Sequence, residues 1–158
     1  MPLSSFHHIA LIVSDYQRSK KFYTEVLRFS VLSENYRSER DSYKLDLRGP
    51  ANMQLEIFSF PNSPPRTSRP EACGLRHLAF SVSDIKAEIE RLQSLGVVCE
   101  AIRIDEFTGK KFTFFADPDG LPLELYSESQ RWLQSAFIFL THLRFIHAEA
   151  LQFQLVNF

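Results

Sequence analysis

The chain has 158 residues, of which 44% are hydrophobic and 15 are phenylalanine; this suits one compact domain or two small modules and excludes a disordered chain. Its formal net charge of −1 leaves no basic surplus to neutralise phosphates, so nucleic acid is not an expected partner. No apolar run reaches the roughly 20 residues that a membrane-spanning helix needs, so no membrane partner is expected either.

The N-terminal stretch MPLSSFHHIALIV has neither the positive leader nor the small-residue cleavage site of a secretory signal peptide. Cys73 and Cys99 are the two cysteines of the chain, which is too few for a disulfide framework. A cytoplasmic protein with free thiols is therefore expected.

The first predicted module spans residues 5–60 and begins with a strand at residues 8–13. Asp15 follows at a helix N-cap position, where its carboxylate can accept a backbone N–H. A helix is predicted over YQRSKKFYTEVLRF (16–29), because its apolar residues recur along one face. The strands that complete the module are SVLSENY (30–36), SYKLDL (42–47) and MQLEIF (53–58).

The segment SFPNSPPRTSRPEACG (59–74) contains four of the eight prolines and is interpreted as a surface crossing between two modules. A stiff spacer is the simpler interpretation. The alternative is that Arg66 and Arg69 overhang a site and bind an anion.

The second predicted module spans residues 74–128 and repeats the same order of signals, with a strand at residues 77–82 and Asp84 at the next N-cap. A helix follows over IKAEIERLQSLG (85–96), where Gly96 ends it. The remaining predicted strands are VVCEAIRI (97–104), KKFTFFA (110–116) and PLELY (122–126). Both modules are therefore predicted to be βαβββ units.

Two sequence matches support a duplication. HHIALIVSD (7–15) matches RHLAFSVSD (76–84) at an offset of 69, and QLEIF (54–58) matches PLELY (122–126) at an offset of 68. Two copies make a pseudo-symmetric pair rather than a solenoid. The predicted fold class is α+β, with two tandem βαβββ modules and a C-terminal extension.

Four side chains stand at equivalent places in the two copies, namely His8, Glu56, His77 and Glu124. The His-to-Glu spacing is 48 residues in the first copy and 47 in the second. A carboxylate inside an apolar strand is costly to desolvate unless it has a partner. One divalent metal ion explains the set, and two imidazoles with two carboxylates suit Ni, Zn, Co, Mn or Fe without choosing among them.

The pieces HIALIVSD, FYTEVLRF, QLEIF, HLAFSVSD and FADPDGLPLELY resemble the superfamily of glyoxalase I, bleomycin resistance protein and extradiol dioxygenase, also called the vicinal oxygen chelate family. The resemblance covers about residues 5–128 and implies a domain at residues 1–130. It also implies a curved mixed sheet around a metal site, and a homodimer. Whether the ligands come from one chain or from two is left open.

The His-Glu-His-Glu set resembles glyoxalase I most closely among these families. The resemblance implies His8, Glu56, His77 and Glu124 as metal ligands, and Glu124, with Glu56 as a possible partner, as the catalytic carboxylates. The implied activity is that of a lyase or isomerase that chelates a small oxygenated substrate. A proton would move between adjacent carbons through an enediolate-type intermediate.

Two positions depart from the glutathione-dependent enzymes. Those enzymes usually carry Arg four residues after the first His and Asn four residues after the first Glu, where this chain has Ile12 and Phe60. The use of glutathione or of another thiol is therefore open. The alternative functions are a non-catalytic protein that binds an antibiotic-type small molecule, or another metalloenzyme of the superfamily such as a dioxygenase or thiol transferase.

Further candidates for substrate binding are cationic. Arg37 and Arg40 lie in a charge-rich stretch between two predicted strands, Arg69 lies in the linker, and Lys111 lies at the start of the predicted strand KKFTFFA. A solvated loop is the alternative interpretation for each of them. Residues 131–158 lie outside the duplicated pattern; they suit an amphipathic helix over a sheet edge or partner, or residues added by an altered reading frame.

Overall fold

The computed structural model describes residue 2 and residues 4–128, and the C-terminal extension predicted at residues 131–158 lies outside them. The described elements are, in chain order, β1 (Ile9–Val13), α1 (Tyr16–Lys21), β2 (Ser30–Arg37), β3 (Ser42–Arg48), β4 (Gln54–Ser59), β5 (Leu78–Val82), α2 (Ile85–Ser94), β6 (Arg103–Ile104), β7 (Lys111–Ala116) and β8 (Pro122–Ser127). The predicted α+β class and the two tandem βαβββ modules are confirmed.

Each module forms one four-stranded mixed sheet, with the order β1-β4-β3-β2 in the first and β5-β8-β7-β6 in the second. The first and last strands of each module are parallel neighbours, and the other pairs are antiparallel. Ala10 pairs with Glu56 in the first sheet, and Ala79 pairs with Glu124 in the second. The sequence duplication is therefore also a duplication of strand register.

Alternation along the strands separates a buried face from an open face in each sheet. On β1, Leu11 and Val13 are buried, whereas Ile12 between them is 62% exposed. Leu45 and Leu47 on β3 and the matching residues of β4 continue the buried face. The charged and aromatic residues between these core positions consequently lie on the open face. Within the described residues, no helix is long and apolar enough to cross a bilayer.

The helix predicted at residues 16–29 is shorter and less regular than expected. It starts at the Asp15 cap, whose side chain accepts from the Arg18 N–H at 3.0 Å, but α1 ends at Lys21 and continues as a π-helical turn, Phe22–Val26. The Thr24 hydroxyl donates to the Lys20 carbonyl at 2.8 Å. Such a bond to the preceding turn slightly destabilises a helix and often bends it.

The strand predicted over residues 97–104 is largely wrong, because only Arg103–Ile104 form ladder pairs with β7. The upstream segment still lies along β7. The Glu100 N–H donates to the Phe114 carbonyl, and the buried Thr113 hydroxyl donates to the Glu100 carbonyl, both at 2.8 Å. The Thr113 hydroxyl thus bonds the Glu100 carbonyl in place of a backbone N–H of β7, and the regular β-ladder is interrupted there.

The two modules meet through polar and aromatic contacts. The buried Tyr23 hydroxyl donates to Asp117 Oδ2 at 3.0 Å, which joins the helical segment of the first module to the DPDG turn of the second. Phe29 packs edge-on against Phe80, with ring centroids 6.3 Å apart. Arg91 on α2 donates to the Val26 carbonyl at 2.9 Å. These contacts fix one module against the other.

Glu34 fastens β2 to α1 and makes stability depend on pH. It accepts from the Tyr16 hydroxyl at 2.6 Å and from Lys20 Nζ at 2.5 Å, and the Lys20 bond in particular lowers the pKa of Glu34. A lowered pKa in the fold stabilises the protein above the unfolded pKa, near 4.3, and this stabilisation is lost as pH falls through the folded value.

We expect Glu34→Gln to lower the free energy of unfolding at pH 7 by up to about 1 kcal/mol, since the pair is partly exposed to solvent. The gap to the wild type should narrow below about pH 4 as Glu34 becomes protonated. Urea unfolding at several pH values measures this difference in free energy. Glu25→Gln is the control, because Glu25 is exposed and its ion pair with Lys21 is long, at 3.9 Å. A gap that stays constant with pH would contradict the expectation.

Candidate functional site

The first His–Glu pair is built by two parallel strands. Glu56 is held on the open face of the first sheet because its neighbours Leu55 and Ile57 are fully buried. Ala10 lies opposite Glu56, and His8 is two residues earlier on the same face of the chain. His8 Nε2 and Glu56 Oε2 are 3.6 Å apart. We call these two residues the module-1 half-site.

The second pair has the same construction. His77 Nε2 and Glu124 Oε2 are 3.1 Å apart, and Glu124 is only 8% exposed. His77 Nδ1 is buried and has no hydrogen-bond partner within the described residues. The imidazole is therefore anchored at one nitrogen only. We call His77 and Glu124 the module-2 half-site.

Each half-site suits a divalent cation but offers only two donors. Metal bonds of about 2.0–2.2 Å place neighbouring donors roughly 3 Å apart, near the 3.6 and 3.1 Å observed in the two pairs. Over residues 4–128, no group of three or more His, Cys, Asp or Glu side chains is arranged to hold a metal. The four predicted ligands are thus brought together as two pairs and not as one cluster.

Lys44 and Asp46 on β3 complete the surroundings of the module-1 half-site. Lys44 Nζ lies 3.0 Å from Glu56 Oε1 and 2.5 Å from Asp46 Oδ1. The hydrogen bond to Asp46 raises the pKa of Lys44. Burial opposes ionisation of Asp46, but the bonds from Lys44 and Ser33 outweigh it, and the pKa of Asp46 is lowered. Sequence reasoning missed both residues, although SYKLDL alternates charged and apolar positions.

Aromatic side chains take the corresponding positions around the module-2 half-site. Phe114 lies opposite Glu124 and edge-on to His77, with ring centroids 5.4 Å apart. The Arg103 guanidinium lies 4.9 Å from the Phe112 ring centroid and 5.3 Å from that of Phe114. The second pair therefore has an apolar wall where the first has charged neighbours.

A cavity of about 340 Å³ opens beside the module-2 half-site. It is lined by Glu124 together with residues of the β6–β7 connection and of β7 and β8: Ile104, Asp105, Glu106, Phe107, Phe112 and Tyr126. Asp105 is hydrogen-bonded within the cavity lining, where it accepts from the Tyr126 hydroxyl at 2.7 Å. This hydrogen bond lowers the pKa of Asp105. Of the predicted ligands, Glu124 lines this cavity, whose volume suits a small molecule.

The cationic candidates for substrate binding lie in different places. Arg37 stacks over Phe58 and Phe60, with its Cζ 4.9 and 5.4 Å from their ring centroids, on the open face that carries Glu56. Arg40 lies in an exposed turn beyond β2, and Arg69 has no ion-pair partner among the described residues. Lys111 lies on the same face of β7 as Thr113, and Phe114 lies on the other face. The structure thus brings Arg37, but not Lys111, to a half-site face.

Comparison with known proteins agrees with this construction. The sequence model of the Glyoxalase/Bleomycin resistance protein/Dioxygenase superfamily matches residues 5–125. The uncharacterized protein YaeR of Escherichia coli is 58% identical over 126 residues, which cover 80% of this chain and 98% of YaeR. A probable lactoylglutathione lyase of Vibrio parahaemolyticus is 30% identical over 78% of this chain and 90% of its own length.

Solved structures show the same fold. A glyoxalase family protein from Enterococcus faecalis superposes with a TM-score of 0.73 at 52% identity, over 77% of this chain and 96% of its own. The antibiotic binding protein TnmS3 from Streptomyces has a TM-score of 0.64 at 27% identity, over 82% and 99%. A variant of the fosfomycin resistance protein FosX from Listeria monocytogenes, complexed with Mn(II) and a dihydroxypropylphosphonic acid, has a TM-score of 0.62 at 20% identity, over 81% and 93%.

Proposed function

Because the chain belongs to the Glyoxalase/Bleomycin resistance protein/Dioxygenase superfamily, we propose that it is a metal-dependent lyase or isomerase. It chelates a small oxygenated substrate and moves a proton between adjacent carbons, in the manner of glyoxalase I. The observation that carries this proposal is the pair of His–Glu half-sites at equivalent register positions of the two sheets. An isolated carboxylate in such a position costs free energy unless a cation binds it.

The four ligands of this proposal are His8, Glu56, His77 and Glu124, drawn from two copies of the chain. Each half-site supplies one imidazole and one carboxylate, and the described residues of one copy assemble no larger group. A two-fold homodimer can place the module-1 half-site of one copy against the module-2 half-site of the other, and its symmetry then creates two equal sites. The mixed nitrogen and oxygen donors accept Ni, Zn, Co, Mn or Fe.

The two glutamates have different tasks in the proposed reaction. A divalent ion bound by the four ligands would polarise two adjacent oxygens of the substrate. Glu124 lines the cavity and is 8% exposed, so we assign it the proton transfer at the substrate carbon. Glu56 is already bonded to Lys44 at 3.0 Å, which suits a ligand held in place. Phe112, which lines the same cavity, gives the substrate side of Glu124 an apolar neighbour.

The proposal also covers whether the substrate carries glutathione and in which cellular compartment the protein works. Ile12 is 62% exposed on the open face, and Phe60 is stacked on Phe58; neither offers the polar contacts that glutathione-dependent relatives use there. We therefore propose a substrate other than the glutathione adduct. The exposed Cys73 and the half-buried Cys99 are both free thiols, which favours a reducing cytoplasm.

Elemental analysis of the purified protein tests the metal centre. We expect about one divalent ion per chain in the wild type, and a sharp fall in bound metal in His77→Ala and in Glu124→Ala, since each removes one of four ligands. Glu25→Ala is the matched control, because Glu25 is an exposed carboxylate on the first helical segment.

The alternative is a binding protein without turnover, which the likeness to the antibiotic binding protein TnmS3 favours. It predicts that the wild type stays metal-free after incubation with Ni²⁺, Zn²⁺, Co²⁺, Mn²⁺ and Fe²⁺. That result would remove the basis of the enzyme proposal. The small-molecule cavity beside Glu124 would then be the whole of the site.

A further inference from the structure

Lys44 lies beside the ligand carboxylate of the module-1 half-site, whereas Arg103, the cation stacked on Phe112 and Phe114 near the module-2 half-site, pairs with Glu100. Lys44 Nζ is 3.0 Å from Glu56 Oε1. We propose that Lys44 binds the substrate oxygen that becomes negatively charged, so that the protein selects substrates able to form a chelating oxyanion. This inference rests on the proposed metal-dependent function and adds a residue that contacts the substrate.

The position of Lys44 is fixed by strand register. Lys44 pairs with Phe58, and Asp46 pairs with Glu56, across the antiparallel β3–β4 ladder. Leu45 and Leu47, which alternate with them, are fully buried. The Lys44 side chain therefore lies on the open face, where it is 29% exposed. Its ammonium is partly shielded from water and still accessible to a small molecule.

Hydrogen-bond capacity shows that Lys44 can take a further partner. An ammonium group has three donors, and two of them are used by Asp46 at 2.5 Å and by Glu56 at 3.0 Å. The oxygen of Glu56 that approaches His8 is Oε2, whereas Lys44 bonds Oε1. A divalent cation bound at Oε2 therefore leaves both Lys44 bonds in place, and the third N–H of Lys44 can donate to an oxygen bound next to Glu56.

The duplication shows that this cation is a specialised feature of one module. Lys44 faces Phe58 on β4, and the residue that faces Tyr126 in the equivalent place on β8 is Phe112. Asp46 corresponds in the same way to Phe114 opposite Glu124. One half-site therefore has a charged wall and the other an aromatic wall. A substrate between them would direct its ionised oxygen toward Lys44 and its apolar part toward Phe112.

The effect of a lysine at this place is electrostatic. A positioned cation that meets developing negative charge stabilises the transition state more than the ground state. An Arg retains the charge, whereas Gln retains much of the length and removes the charge. Variants of both kinds therefore separate charge from packing.

The test uses protein loaded with Co²⁺, whose absorption spectrum reports ligands that join the ion. Acetohydroxamate is the anionic probe because it chelates through two adjacent oxygens, and imidazole is the neutral probe. We expect Lys44→Gln to weaken acetohydroxamate binding by at least about tenfold and imidazole binding by less than about twofold, since only the anion needs the cation. Lys44→Arg should restore part of the affinity. Lys21→Gln is the matched control, because Lys21 is 73% exposed on α1.

The outcomes separate this inference from the function on which it rests. Wild type that binds no Co²⁺ overturns both. If Co²⁺ binds and Lys44→Gln retains the wild-type affinity for acetohydroxamate, the metal centre stands and the role of Lys44 is refuted. If Lys44→Gln loses Co²⁺ itself, Lys44 only supports Glu56, and the inference is again overturned. Unchanged or tighter Co²⁺ binding with selective loss of acetohydroxamate supports it.

Discussion

Metal binding is expected to return when two variants that each bind no metal exchange subunits. The first variant combines His8→Ala with Glu56→Ala, and the second combines His77→Ala with Glu124→Ala. In each homodimer every site lacks two of its four ligands. A mixed dimer has one site with all four ligands and one site with none. Random exchange makes half of the dimers mixed, so metal content should recover to about one quarter of the wild-type value per chain.

The mixing experiment decides how the half-sites meet. Purifying the mixed dimer through two different affinity tags should raise the recovery to about one half, because each such dimer keeps one complete site. Each variant mixed with itself is the control and should remain metal-free. If the site were completed inside one chain, the mixture would bind no metal at any ratio, and the two-copy arrangement would be rejected.

Asp117→Ala is expected to destabilise the protein by about 3 kcal/mol, because it leaves three donors without their acceptor. Oδ1 accepts from the backbone N–H groups of Asp119 and Leu121 at 2.9 and 2.8 Å. Oδ2 accepts from the Tyr23 hydroxyl at 3.0 Å. Burial raises the pKa of Asp117, against the effect of these bonds. The residue joins the two modules, so its loss affects both.

Asp117→Asn is the matched variant for this prediction. The amide oxygen can still accept from the two backbone N–H groups, and the amide nitrogen can donate to the Tyr23 oxygen. Its free energy of unfolding should therefore lie within about 1 kcal/mol of the wild type. Urea unfolding followed by circular dichroism measures both variants. Equal destabilisation of the two would show that the negative charge, and not the hydrogen bonding, is what the fold requires.

Local patterns predicted most of the fold. The helix cap at Asp84, which accepts from Lys86 and Ala87, and the helix end at Gly96 follow from residue types that favour one local conformation. The irregular segment before β6 could not be predicted, because it depends on a hydroxyl of Thr113 that is distant in sequence. The π-helical turn after α1 likewise shows in a backbone bond from the Leu27 N–H to the Phe22 carbonyl five residues earlier, which an apolar helical pattern does not distinguish from an α-helix.

The candidate site was only partly predictable for a similar reason. The His–Glu spacing differs by one residue between the two copies, and it indicates the pairs because the first and last strands of each module are parallel neighbours in the same register. Lys44 and Asp46 reach Glu56 across an antiparallel ladder, and that register is known only once β3 and β4 are paired. Spacing also does not show whether the two half-sites that meet belong to the same chain or to two copies of it. The sequence therefore could not decide between one chain and two.

The matching register of the two sheets has a consequence for ancestry. Because one βαβββ unit already brings an imidazole and a carboxylate together, a primitive protein of half this length could build a four-donor centre by self-association. Fusion of two such genes would keep that centre. The residues that surround its two halves would then no longer have to be identical. The Lys44 wall and the Phe112 wall, which face equivalent partners on β4 and β8, show what such freedom permits. Asymmetric molecules can then be recognised by a scaffold that began symmetric.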